Sequence, residues 1–136
     1  MIFQLQQYLE AYFPTESIFS NLAIKVDSAV ILPDRLVIIS EGPGTTQPRT
    51  GYTNKGLHVF TRDIDPVKAR KLAYDIFGYL NDTYSLSLSA ITVDGDVYPA
   101  MDILQISANG DPQSIGFDDE GRAEWTTNYR VIFRRL

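Results

Sequence analysis

The alternation of apolar and polar positions divides the chain into two helical stretches and several strand-like ones. Leu5, Tyr8, Leu9 and Tyr12 recur at the spacing of one helical face, with Ile2 beside it and Pro14 closing the stretch. This pattern predicts a short amphipathic N-terminal helix. Two β-like runs follow, around Ala23–Val26 and Leu36–Ser40, and the second is apolar and β-branched enough for a buried strand. Residues 41–56 hold four glycines and two prolines among hydroxyl and amide side chains, which predicts a long polar loop. Over 57–64, Leu57, Val59 and Thr61 then take one strand face and His58, Phe60 and Arg62 the other.

The second helix is the best-marked element. Asp65 is a suitable N-cap, and Pro66 fits the first helical position, where its missing N–H costs nothing. Ala69, Leu72, Ala73, Ile76, Phe77 and Leu80 form one apolar stripe, and Asn81–Asp82 supply the exit. A long helix over about 66–82 is expected, spanning roughly 25 Å at ~1.5 Å per residue. Beyond it, Ser89–Val93 and Ala100–Ser107 read as strands joined through an Asp94-Gly95-Asp96 turn and Pro99. Residues 109–121 read as a second polar loop, anchored by Ile115 and Phe117. In the final strand Trp125, Thr127, Tyr129, Val131 and Phe133 share one face; Glu124, Thr126, Asn128, Arg130, Ile132 and Arg134 share the other. With no repeat or domain boundary in view, the expectation is one α+β domain over 1–136. It is a mostly antiparallel β-sheet packed by one long helix (about 66–82) and a short N-terminal helix.

Composition narrows the chemistry. The 136 residues, 44% apolar and 21% charged, are those of an ordinary globular domain. No run approaches the ~18 to 20 apolar residues of a membrane-spanning helix. The absence of cysteine excludes disulfides, thiolate nucleophiles and cysteine-ligated metals, and a lone histidine, His58, excludes a multi-histidine metal site within one chain. A net charge of −5 argues against a broad nucleic-acid footprint. The N-terminal residues lack the basic region and cleavage site of a secretory signal, so residence in a cytoplasm is expected.

No residue set carries a catalytic signature. His58 would need a nucleophile and an orienting carboxylate, and the spacing to Asp63 and Asp65 implies no dyad. Asp118, Asp119 and Glu120, with Asp111 upstream, are an oxygen-rich run of the kind that can hold calcium or magnesium. The EF-hand spacing is absent, however, and a solvated turn with Gly121 at positive φ accounts for them more simply. Gly42-Pro43-Gly44 lacks the helix start and Lys-Ser/Thr pair of a phosphate cradle. No enzyme, cofactor or metal site is therefore expected. The polar face of the last strand says more. Arg130 and Arg134, with Arg122 and Arg135 near them, are either a solvated sheet face or a row of planar cations for a partner's carboxylates or phosphates. Ile132 between them gives the mixture of arginine and large apolar groups enriched at interfaces.

The order of elements completes the reading. A short helix leads to a strand ending in S-E-G-P-G (40–44); then come a polar loop, the strand L-H-V-F-T-R-D-I-D (57–65), the capped helix and G-F-D-D-E-G-R-A-E-W-T-T-N-Y-R-V-I-F (116–133). This succession, above all D-x-x-G-R-x-E-W-T-x-N-Y-x-V from Asp118 to Val131, resembles the tail-terminator (minor capsid) proteins of long-tailed bacteriophages. The resemblance implies a single tail-terminator-like domain with a structural role and no active site. Such proteins form a ring, usually of six subunits, that caps the head-proximal end of the tail tube, stops its polymerisation and joins tail to head. The implied partners are further copies of itself, the tail tube protein and a head–tail connector or stopper, with no membrane and no sequence-specific nucleic acid. The implied place is the virion tail, after assembly in the cytoplasm of a bacterial host. Arg49, Tyr52, Arg122, Arg130, Ile132 and Arg134 are the candidate subunit or partner contacts. Two alternatives remain open: another head–tail neck or completion subunit, or a small α+β ligand-binding domain or enzyme built around His58 or the acid cluster.

Overall fold

The alternation in the last strand sets the architecture, because one continuous apolar face must find a cover along its whole length. The structure, a computed structural model, describes residues 1–20, 32–47 and 49–135. The run around Ala23–Val26 lies outside these residues. The elements are α1 (Ile2–Tyr12), β1 (Ile18–Ser20), β2 (Leu36–Thr46), β3 (Thr53–Asp63), α2 (Pro66–Leu80), β4 (Thr83–Leu88), β5 (Ile91–Val93), β6 (Asp96–Tyr98), β7 (Met101–Ala108), β8 (Gln113–Phe117) and β9 (Ala123–Arg135).

β9 is the spine. On one side it pairs with β3 from Thr53↔Phe133 to Asp63↔Ala123; on the other it pairs first with β8 and then with β7, all antiparallel. The sheet runs β1-β2-β3-β9-β7-β4, with β1 parallel to β2. It curls into a half-barrel. α1 and α2 cover its inner face, where Leu5, Leu9, Leu72 and Ile76 meet Leu57, Val59, Ile103, Tyr129, Val131 and Phe133. At ~25 cal/mol per Å² of apolar surface, each such side chain contributes about 1.5–3 kcal/mol on burial. α2 starts where the sequence predicts: the Asp65 Oδ1 accepts hydrogen bonds from the Val67 and Lys68 amides at 2.9 and 3.4 Å. Its Tyr74 ring meets Trp125 edge-on, at 6.2 Å between centroids.

The expected α+β domain built around one long helix is corrected. The protein is mainly β, with 51% of the described residues in strands, and α2 is a 15-residue helix that ends at Leu80 rather than 82. The physical reason is local. Asn81 is extended and Asp82 sits at φ +58, so the chain turns at once into β4, while the Asn81 Oδ1 accepts from the Ala108 amide at 2.8 Å. The predicted 41–56 loop is also mostly strand: β2 runs to Thr46 and β3 starts at Thr53. A register shift between Glu41 and Gly44 places Pro43, which has no N–H to give, in a bulge. Gly42 and Gly56 approach across the hairpin so closely that a Cβ on Gly42 would lie 3.4 Å from the Gly56 Cα. The predicted 109–121 loop contains β8, and Ser89–Val93 shortens to β5, which pairs not with β7 but with β6 in a separate two-stranded sheet.

One polar clasp closes the end of the sheet where β3 hands over to α2. Arg35 forms a two-pronged ion pair with Glu16 at 2.8 and 2.9 Å and a third contact, at 2.7 Å, with the buried Asp63. The other Asp63 oxygen accepts from the Asp65 amide at 3.0 Å. Burial alone would raise the Asp63 pKa, but the Asp65 amide and the Arg35 guanidinium outweigh it and hold the carboxyl below its ordinary range.

Candidate assembly surface

The face of the sheet turned away from the helices carries the polar set of β9. Across β3 and β9 the outward pairs are Gly56–Arg130, His58–Asn128, Phe60–Thr126 and Arg62–Glu124. Between them and the β2–β3 hairpin lies a groove of about 510 Å³, lined by Gly42, Pro43, Gly44, Asn54, Gly56, His58, Asn109, Asn128 and Arg130, among others. Gly42, Gly44 and Gly56 leave part of its lining as bare backbone. A Cβ on Gly44 would stand 2.6 Å from the Asn54 carbonyl oxygen, closer than two such atoms can come, so glycine is required there. The walls are side-chain amides, and Arg130 stands exposed at the rim with no carboxylate in ion-pair distance among the described residues.

The structure brings some of the sequence candidates together and separates others. Arg134 lies over the Tyr52 ring, 5.5 Å from its centroid, and 3.5 Å from Asp102. These two candidates, far apart in sequence, thus form one cluster where the β2–β3 hairpin meets the end of β9. Ile132 is half-buried between Arg130 and Arg134, and Arg49 is exposed in the hairpin turn. Arg122 is elsewhere and already engaged: it reaches Asp118 at 2.7 Å, Asp34 at 3.3 Å and Glu120 at 3.4 Å. Asp118 also accepts from the Glu120 and Arg122 amides, and Gly121 has φ +78, so the three acids form a tight, self-contained turn. The Arg122 amide first, then its guanidinium, hold the Asp118 carboxyl below its usual range.

The same geometry bears on the alternative readings. His58 shares a hydrogen bond with the Thr126 hydroxyl, and burial pushes its imidazole below the ordinary value. Among the described residues no group of three or more histidine, aspartate or glutamate side chains is placed to hold a metal ion. Nor is any helix among them long and apolar enough to cross a membrane. What the outer face offers is a row of donors, amides and half-buried apolar groups, suited to contact with another protein.

A family model described as bacteriophage tail terminator protein matches residues 32–135, all the sheet from β2 to β9. The chain belongs to the bacteriophage tail terminator family. No curated protein matches it. The match covers every strand from β2 to β9, so the groove, the Arg134–Tyr52 cluster and the acidic turn are parts of the terminator domain itself. It is a phage tail structural protein and, as such, a component of the virion. Two features of this terminator escaped the sequence reading. The groove depends on Gly42–Gly44 lying beside Asn128 and Arg130, which no local pattern reveals. The Asp94-Gly95 turn was visible, but not that it closes a hairpin standing apart from the main sheet.

Proposed function

We propose that this protein forms a ring of six subunits that caps the tail tube, ends its polymerisation and joins the tail to the head, without enzymatic activity. The family match over residues 32–135 carries this reading. Its support in the fold is the polar, groove-bearing outer face, where Arg130, Ile132 and Arg134 lie in one row and the hairpin bearing Arg49 and Tyr52 projects beside them. A ring needs two different patches on each subunit. At ~800 Å² per side, two contacts would cover ~1,600 Å². That is about a fifth of the chain's 7939 Å² of accessible surface, so a ring is geometrically feasible. The tube protein and the connector would then meet the two open ends of the ring.

Negative-stain electron microscopy of the purified protein, across concentration and magnesium, tests the ring directly. Closed rings with a central hole are expected; a monomer at every concentration would set the ring in free solution aside. In a tail-assembly reaction, leaving the protein out should yield tubes of uncontrolled length, and tubes of normal length would overturn the terminating role. Reversing both Arg130 and Arg134 to Glu should weaken assembly at least tenfold while leaving the far-UV circular dichroism unchanged. Unaltered assembly would remove that face from the contact.

A further inference from the structure

The hairpin of β5 and β6 stands apart from the main sheet. It is a two-stranded sheet of three residues a side, paired Ile91↔Tyr98, Thr92↔Val97 and Val93↔Asp96. An isolated hairpin of this kind is marginally stable in water, because it buries almost nothing of its own. The turn is nevertheless well specified: Asp94 at φ +52 and Gly95 at φ +83 are the residues and the conformation that a tight hairpin turn demands. Its base is anchored on α1 by the Phe3–Tyr98 ring contact, 5.0 Å between centroids, and by the hydrogen bond from Gln4 Nε2 to the Pro99 carbonyl at 3.0 Å. Toward the tip Val97 is 69% exposed, and neither Asp94 nor Asp96 has a side-chain partner among the described residues. The hairpin is thus an arm, held at its root and acidic at its end.

The outer-face groove has the complementary chemistry. Arg130 is exposed at its rim and unpaired among the described residues, and Asn54, Asn109 and Asn128 offer amides to an extended backbone. Gly42, Gly44 and Gly56 let β2 and β3 close on each other along one side of the groove. The arm is rooted on α1, on the helical side of the sheet, whereas Arg130 faces away from the helices, so arm and cation lie on opposite faces of one subunit. Two unlike, complementary patches on opposite sides of one chain are what a head-to-tail contact uses. We propose that the β5–β6 arm of one copy docks in the Gly42–Gly56 groove of the next, with the Asp94 and Asp96 carboxylates on Arg130. This inference rests on the ring reading and identifies one of its contacts. Charge complementarity selects the occupant: on a chain of net charge −5, this groove presents a cation and the arm presents two anions.

Two single-site variants and their mixture test it. Asp96→Lys changes the arm, at a position free of the backbone constraint that Asp94 carries; Arg130→Glu changes the groove. Each alone should lose assembly at least tenfold in sedimentation and microscopy, with unchanged circular dichroism. Their equimolar mixture should regain it, because the Asp96→Lys arm of one copy then meets the Arg130→Glu groove of the other, and the remaining contact is native on both sides. The double variant should assemble by itself. The neutral Asp96→Asn, which keeps the hairpin's shape, should show an intermediate loss and so guards against misfolding of the arm. Wild-type rings with no recovery in the mixture, or single variants that assemble normally, would overturn this contact and leave the ring standing. A wild type that stays monomeric at every concentration would overturn the ring in free solution and the contact with it.

Discussion

An Arg35→Met variant is expected to lose about 2–3 kcal/mol of folding stability, roughly 10 °C in Tm for a domain of this size. Arg35 holds together the segment leading into β1, the start of β2 and the end of β3 through Glu16 and Asp63, and the Asp63 side chain is only 7% exposed. Methionine keeps most of the aliphatic stem but leaves the Asp63 carboxylate buried with no cation to face. Removing one partner of a buried pair costs about 3–5 kcal/mol; the 37% exposure of the Arg35 side chain admits water and lowers the expected figure. The pH dependence gives the effect its signature. The folded-state pKa of Asp63 is depressed, so its contribution is present above the unfolded value of about 3.9 and is lost as pH falls through the lower folded value. The gap between wild type and Arg35→Met should therefore be full at neutral pH and shrink below about pH 3.9, as read by chemical denaturation across pH. Adding Asp63→Asn to the variant should recover most of the loss, since an amide still accepts from the Asp65 N–H without carrying charge. A pH-independent gap would mean that packing, not the ion pair, makes the difference.

The parts of this terminator that were legible in its sequence are those whose signal is local. The Asp65-Pro66 start of α2 needs only its own neighbours, and the inner face of β9 is written in strict alternation, which the burial of Thr127, Tyr129, Val131 and Phe133 repeats. The misread parts owe their structure to partners distant in the chain. Residues 41–46 and 53–56 have the composition of a loop, yet their backbones pair across the hairpin, and backbone pairing leaves little trace in side-chain chemistry. β4 escaped notice because it is an edge strand with no fully buried residue: three side chains are exposed and three only half-buried, so burial imprints it weakly. The candidate surface divides the same way. The Arg130–Ile132–Arg134 row follows from strand alternation. The engagement of Arg122 by Asp34, Asp118 and Glu120 follows from a turn that folds back on itself, and the groove requires β2 to be laid beside β3 and β3 beside β9.

Two neighbouring residues of β9 should separate folding from assembly more sharply than any other pair. Phe133 is 1% exposed, opposite Thr53 on one side and Ile103 on the other, at the point where three strands share the core. Phe133→Ala removes a fully buried ring and leaves a cavity that strands paired on both sides cannot collapse to fill, which costs about 3–5 kcal/mol. Against a total stability of about 5–15 kcal/mol for a domain, that is enough to leave the variant partly unfolded or prone to aggregation at 37 °C. Ile132, one step earlier, points the other way and is only half-buried between two arginines. Ile132→Ala should cost about 1 kcal/mol or less in the monomer, because a half-exposed side chain has little transfer energy to lose. If the outer face is a contact, the same truncation should weaken assembly by roughly tenfold or more, since a large apolar group amid arginines is the kind of residue that dominates such patches. Thermal denaturation and sedimentation of the two variants read the two quantities separately. Loss of assembly in Ile132→Ala with its Tm preserved places the contact on this face, whereas full assembly would move the search to the strand edges of β4 and β8.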